Sequence, residues 1–224
     1  MFKFHRNILS ASLLFSTVAL FSTTVNAVEQ GDWLLRVGVG HVAPNDDSGT
    51  VTGIPGSGVS VDSGTNLALN ITYMATPTLS VELLGALPFN HEINGTGSIS
   101  GLGQVGETDQ LPPTLTVNYN FNPTASIRPY VGAGINYTTF FNTESTRSLD
   151  NALGGETDID LDSSWGPAAQ GGVDFDLTPD WFLNASIWYM DINTKATLKT
   201  AGTTRTVDVD INPVSYFIGI GRKF

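Results

Sequence analysis

Cysteine is absent from all 224 residues, which removes disulfide frameworks, thiol nucleophiles and cysteine-ligated zinc sites together. Positive charge is scarce. Ten Lys plus Arg stand against 21 Asp plus Glu, a formal net charge of −11, so the chain lacks the field that phosphate backbones require and no nucleic-acid partner is expected. Only three His are present, and no apolar run reaches the roughly 20 residues of a membrane-spanning helix. What the chain does have is 24 Gly, 11 Pro and 10% aromatics, a composition that favours many strands and turns over long helices.

The first 27 residues read as a cleaved signal peptide. Lys3 and Arg6 precede an apolar stretch from Ile8 to Phe21, and small residues close the segment at Val25-Asn26-Ala27. Residues 28–224 are then the mature domain.

That domain alternates with period two. Trp33, Leu35, Val37 and Val39 share one parity, with Leu34, Arg36, Gly38 and Gly40 on the other. The pattern recurs through Leu67 to Tyr73, through Leu79, Val81, Leu83, Leu87 and Phe89, from Pro113 to Phe121, from Ile127 to Tyr137, from Trp165 to Leu177, from Trp181 to Tyr189, and from Val214 to Phe224. About eight antiparallel strands result. Three connections are short and Pro-containing, at Thr76 to Thr78, Asn122 to Ser126 and Thr178 to Asp180. The intervening ones read as long loops near Asn45 to Ser63, Asn94 to Asp109 and Glu144 to Asp158, with a shorter one at Ala201 to Thr204.

Such asymmetry belongs to outer-membrane barrels, with short periplasmic turns and longer extracellular loops. A soluble sandwich or lipocalin-like barrel would share the alternation. The small and polar opposite face, with Asn70, Thr116, Asn118, Gly132, Gly134 and Gln170, favours a transmembrane barrel that carries its aromatics at the bilayer interfaces. The fold expected is therefore all-β, an eight-stranded antiparallel transmembrane β-barrel in the outer membrane, with membrane lipids around it.

The segments Leu111 to Leu115, Arg128 to Phe141, Ser164 to Gly166 and Trp188 to Ile192 together resemble the outer membrane protein W family, the run from Arg128 to Phe141 most specifically. The resemblance covers the whole mature chain. It implies a narrow barrel with an apolar interior, associated with uptake of small hydrophobic molecules. Phe224 looks like the C-terminal signal read by the outer-membrane assembly machinery, although Arg222 stands where an aromatic residue is common in such signals.

Parity alone maps the lumen. Eight strands leave room for side chains or one small ligand, so a wide aqueous pore is excluded. Arg36, Glu82, Arg128, Asp174, Asp176 and Lys223 point inward near the short turns, within roughly the lowest 10–15 Å. Their mixed signs are expected to pair into a periplasmic polar plug, with Arg36, Arg128 and Lys223 facing Glu82, Asp174 and Asp176. Leu84, Trp188, Met190 and Phe140 lie higher and are expected to line a channel or its constriction. Higher still, polarity inverts: Asn193, Lys195, Asp208 and Asp210 face outward while Ile192, Leu198, Val207, Val209 and Ile211 turn inward. The expectation is a narrow channel for hydrophobic solutes that leave sideways into the membrane. The alternative is a structural or adhesive small barrel acting as a surface receptor.

Other chemistry finds little support. Gly101 to Gly106 matches GxGxxG, but no strand leads into it and no helix follows, so it reads as a loop. Asp158, Asp160 and Asp162 share one parity and read as a solvated acidic edge. His41 and His91 lie near extracellular strand ends without a Ser-centred motif, so no enzyme activity, catalytic residue, metal or cofactor is expected.

Overall fold

The computed structural model describes residues 27–224; most of the proposed signal peptide lies outside the described residues. In chain order the strands are β1 (Trp33–Ala43), β2 (Asp47–Ser48), β3 (Ser57–Val61), β4 (Gly64–Met74), β5 (Leu79–Ala86), β6 (Phe89–Gly97), β7 (Gln104–Leu111), β8 (Thr114–Asn120), β9 (Ile127–Ser145), β10 (Thr157–Leu161), β11 (Ser164–Asp176), β12 (Trp181–Met190), β13 (Asn193–Thr200), β14 (Thr203–Asp210) and β15 (Val214–Lys223). One helix, α1 (Arg147–Leu153), and a 3-10 turn at Ser100–Leu102 complete the described chain.

Eight of these strands close a barrel. The order is β11-β12-β15-β1-β4-β5-β8-β9, every neighbour antiparallel, with β9 returning to β11. Closure leaves no edge, which is what a bilayer demands of a strand that crosses it. The outward parity is apolar and exposed: Val37, Val39, Leu69, Val117, Ile135, Leu183 and Ile218 are among its members, the last with 70% of its surface free. Aromatic pairs mark both ends of this band. Trp33 lies 5.0 Å from Tyr73 and Tyr119 4.9 Å from Phe121 at the turn end, and Tyr137 lies 4.6 Å from Trp165 at the other. Eight residue steps from Trp181 to Tyr189 at about 2.6 Å of height each give roughly 21 Å, close to the apolar height of such barrels. Arg222 resolves its own anomaly by lying over the rings of Trp181 and Phe224, at 5.5 and 4.8 Å, where its stem stays in the interface.

Inward Gly134 lies close against the β8 backbone. A Cβ on Gly134 would stand 2.7 Å from the Thr116 Cα, whereas one on Gly85 would meet nothing within 4 Å. Gly134→Val should therefore abolish the folded, heat-modifiable band on a gel, and Gly85→Val should retain it. A folded Gly134→Val barrel would disprove the close approach of β8 and β9.

The long connections expected as loops carry strands of their own, and the one from Glu144 to Asp158 holds α1. Beyond the barrel, β3-β6-β7-β9 and β10-β13-β14-β2 continue the walls upward, joined to the barrel strands through breaks at Pro88, Pro112-Pro113 and Pro213. Proline supplies no ladder N–H, so each run is interrupted there and resumes. Pro88 also shifts the parity. Leu87 faces out, but Phe89 and His91 are both buried, so Phe89 does not share the outward face of Leu79 to Leu87 as alternation predicted. Gly101 to Gly106 is likewise no loose loop. It runs through the 3-10 turn, takes a positive φ at Gly103 and enters β7. Within the segment Glu144 to Asp158, Thr146 caps α1 by accepting from the Leu149 N–H, and Gly154 ends the helix in the left-handed conformation.

Candidate functional site: the lumen and its extracellular chamber

The interior divides into four layers along the barrel axis. At the turn end, Val28, Leu34, Met74 and Phe182 form a small apolar cluster beneath the lumen. The Val28 N–H donates to the Pro123 carbonyl at 2.9 Å, tying this N-terminal segment across the turn side.

Directly above sits a buried polar network centred on Arg36. Its Nε and Nη2 donate to the two oxygens of Asp174 at 3.1 and 2.9 Å, and Nη1 donates to Glu82 at 2.8 Å and to Thr72 at 2.6 Å. The planar guanidinium suits this arrangement because it can hold one carboxylate in a fork while a further N–H reaches a second. Gln170 donates to Glu82, Thr116 and Asn118, and Asn184 donates to Asp174 and to the Tyr130 hydroxyl. Each carboxylate therefore has amide or hydroxyl donors besides the arginine, which buried charge requires. The Arg36 guanidinium also lies 5.4 Å from the ring centres of both Tyr130 and Phe182.

Arg128 pairs with Asp176, again inside the lumen. Lys223 departs from expectation. It does not face Glu82, Asp174 or Asp176 but lies 3.9 Å from Asp32 and donates to the Ala27 carbonyl at 3.0 Å. The last strand brings Lys223 level with Leu34 of β1, below the network, and the Asp32 carboxylate on the approach to β1 is nearer than any carboxylate of the plug.

The third layer is apolar and almost filled. Leu84, Trp188 and Met190 meet Ala68, Phe89 and Phe217 around a void of about 20 Å³, room for about one water molecule. Trp188 is buried with its indole N–H donated to Ser186 at 3.1 Å, so no polar atom of that ring is left facing the void. Phe140, grouped with these three by parity, belongs instead to the layer above.

That uppermost layer is a chamber of about 450 Å³, within the range of small-molecule pockets. Its wall is mostly aliphatic: Val59 and Val61 of β3, Ile159 of β10, Leu198 of β13, and Val207 and Val209 of β14, with Phe140 from β9. Leu149 and Leu153 of α1 and Leu102 of the 3-10 turn cover it, and the exposed Gly101 and Ala152 mark where it reaches the surface. Outside the same wall stand Asn193, Lys195, Asp208 and Asp210, all exposed. Asp160 is bonded to Lys199 at 2.8 Å and holds that ammonium above its ordinary pKa. Asp158, Asp160 and Asp162 are exposed, and no cluster of metal-ligating side chains occurs among the described residues. A wall polar outside and mostly apolar inside encloses this volume above the lipid-facing band.

Among the polar residues on the chamber wall that escaped the parity reading are His91, Gln110 and Arg205. The parity shift at Pro88 hid the first. His91 is buried, and its Nδ1 lies 2.6 Å from the Asp62 carbonyl; since a carbonyl only accepts, Nδ1 carries the proton and Nε2 presents a lone pair. Burial pushes its pKa below the ordinary 6.5, so the ring is neutral in the folded protein. Because the unfolded chain binds that proton more readily, stability from this group is complete above about pH 6.5 and is lost as pH falls below it. His91→Gln should flatten the stability profile below pH 6.5, measured as urea midpoint against pH. An unchanged slope would show that His91 does not contribute. His41 has a different setting on the outer wall, 2.7 Å from the Thr65 hydroxyl and stacked on Tyr216.

A family model described as the OmpW family matches residues 29–224. The outer membrane protein W of Vibrio cholerae serotype O1 is 46% identical over 208 residues, covering 92% of this chain and 94% of that protein. A Pseudomonas aeruginosa relative, the dibenzothiophene metabolism operon protein PahQ, is 28% identical over 199 residues, 88% of this chain and 90% of its own. Among solved structures, the outer membrane protein OprG from Pseudomonas aeruginosa superposes with a TM-score of 0.82 at 36% identity, covering 89% of this chain and 99% of that one.

Proposed function

Since this chain belongs to the OmpW family and is an outer-membrane barrel, we propose that it admits small hydrophobic molecules from the cell exterior into its chamber and releases them sideways into the membrane, with no catalytic step and no cofactor. The observation that carries this reading is the order of the layers: an apolar chamber at the extracellular end, then the nearly filled layer of Leu84, Trp188 and Met190, then a lumen closed by Arg36, Glu82 and Asp174. A solute that gains by burying apolar surface, at about 25 cal/mol per Å², gains in the chamber and loses against the charged network. The axial route is therefore closed to the solutes that the chamber favours.

A gap in the ladder supports release through the wall. The ladder between β5 and β8 ends at Leu84 opposite Thr114, and that between β6 and β7 resumes at Phe89 opposite Gln110. Residues 85–88 and 111–113 have no partner across this seam, and Pro88 and Pro112 lie within it. The nearly filled layer of Leu84, Trp188 and Met190 borders it and is the constriction in this reading. Dibenzothiophene, in the name of the 28% identical relative, is an apolar compound of the size class that the chamber suits. Arg36, Glu82, Arg128, Asp174 and Asp176 act as the plug, and Lys223 lies below it beside Asp32. Phe224, at the end of β15, would be read by the assembly machinery.

Liposome permeation with apolar and charged solutes tests the proposal. Apolar solutes should accumulate in the membrane phase faster with the barrel than without it, and charged hydrophilic solutes should not cross. Accumulation no faster than in barrel-free liposomes would favour a surface receptor without transport, and equal passage of both solute classes would show an open pore in place of the plug. Orientation has its own check. Ser100→Cys on intact cells should react with an impermeant thiol reagent and Thr124→Cys should not; the reverse would invert the barrel.

A further inference from the structure

Arg205 is the one charged residue of the chamber lining among the described residues. It sits on the inward parity of β14, three residues from the β13–β14 turn, with Val207 and Val209 following it down the wall. Its Nη1 is buried and has no hydrogen-bond partner, and no carboxylate comes within ion-pair distance of it among the described residues. This is unlike every other inward arginine: Arg36 and Arg128 are both paired. Nor does the acidic rim serve it, since Asp208 and Asp210 occupy the outward parity of the same strand and Asp208 pairs with Lys195.

A half-buried guanidinium beside an aliphatic wall is costly unless something supplies an acceptor, because an unsatisfied charged donor keeps its full desolvation penalty. Its planar fork matches a carboxylate. His91 Nε2 and Gln110 Nε2 are also without partners at the chamber floor, but an amide turned to face the imidazole lone pair lets those two satisfy each other. Arg205 has no such neighbour.

Building on the uptake reading above, we propose that the chamber's preferred solutes include amphiphiles with an aliphatic chain and a single carboxylate, the head held by Arg205 near the rim and the chain laid along Val207, Val209 and Leu198. Arg205 is then a specificity residue. It gives an anionic head a binding energy that a purely apolar chamber withholds, and it disfavours a cationic head on the same chain by like-charge repulsion.

Proteoliposomes containing the full barrel test this with decanoate, decylammonium and naphthalene at neutral pH. Wild-type uptake should favour decanoate over decylammonium. Arg205→Gln should reduce decanoate uptake about tenfold, the scale of one lost charge-assisted interaction, and leave naphthalene within about twofold. Arg205→Lys should restore part of the decanoate rate, and Val207→Asp should depress both decanoate and naphthalene. Decanoate uptake unchanged in Arg205→Gln, with both solutes depressed by Val207→Asp, would overturn the head-group assignment and leave the uptake reading standing. Naphthalene uptake equal to that of empty liposomes in the wild type would defeat the uptake reading itself; direct binding of decanoate, measured by quenching of Trp fluorescence with brominated decanoate, would then still decide whether Arg205 holds a carboxylate. All variants are scored only where heat-modifiable mobility shows a folded barrel.

Discussion

Replacing Arg36 with Met should cost this barrel about 3–5 kcal/mol, because it leaves Glu82 and Asp174 charged, buried and without their common cation. The two carboxylates are 0% and 3% exposed at their side chains, so water cannot take over. Thr72, Gln170 and Asn184 would remain as neutral donors, each worth less than the guanidinium. The measurement is the urea midpoint of the folded band in detergent or liposomes. Adding Glu82→Gln and Asp174→Asn to the Arg36→Met variant should recover most of the loss, since neutral groups of the same shape carry no unpaired charge. A single variant within about 1 kcal/mol of wild type would show that the network is not a closed ionic plug. The same single variant should pass more small ions in planar bilayers, because the side chain that joins β1 to β5 and β11 across the lumen has gone.

The second large effect concerns the layer between chamber and plug. Leu84→Glu places a carboxylate beside Trp188, Met190 and Phe217, none of which can accept or donate to it in their present contacts. Uptake of apolar solutes should fall at least tenfold, because the solute's favourable transfer into that layer is replaced by contact with a hydrated charge. Assembly, read from heat-modifiable mobility, should persist because the exposed lipid-facing surface and the ladders are untouched. Trp188→Ala should act in the opposite sense by joining the void of about 20 Å³ to the space that the indole vacates. Normal uptake by a folded Leu84→Glu barrel would leave the receptor reading as the better account of this molecule.

Much of the architecture is legible in residue order because a membrane barrel is a repetitive solution to one constraint. Every backbone group must be paired and one face of every strand must suit lipid, so period-two alternation and short Pro turns follow. The strands around Trp33 to Val39 or Trp181 to Tyr189 could be read directly for that reason. The extracellular half was harder. Residues 94–109 contain Gly, Ser, Thr and acids without an outward apolar face, which reads as loop, yet above the bilayer a strand needs no such face. There β6 and β7 pair, and Val105 is the one buried apolar side chain of residues 94–109. The helix of Thr146 to Gly154 did leave a local signal, a threonine cap and a closing glycine, within a segment dominated by turn-forming residues.

Alternation, charge sign and turn position were determined by the sequence alone, because each is a property of neighbours along the chain. Who meets whom across the lumen was decided only by closure. Arg36 and Asp174 are 138 positions apart, and no local rule links them; they meet because β1 and β11 stand across the same barrel at the same height. Lys223 found Asp32 instead of the plug for the same reason, its height being fixed by the register of β15 on β1. One proline at position 88 reversed the parity above it and turned Phe89 and His91 inward, a change that pattern counting cannot see because a single skipped residue leaves the alternation intact on both sides.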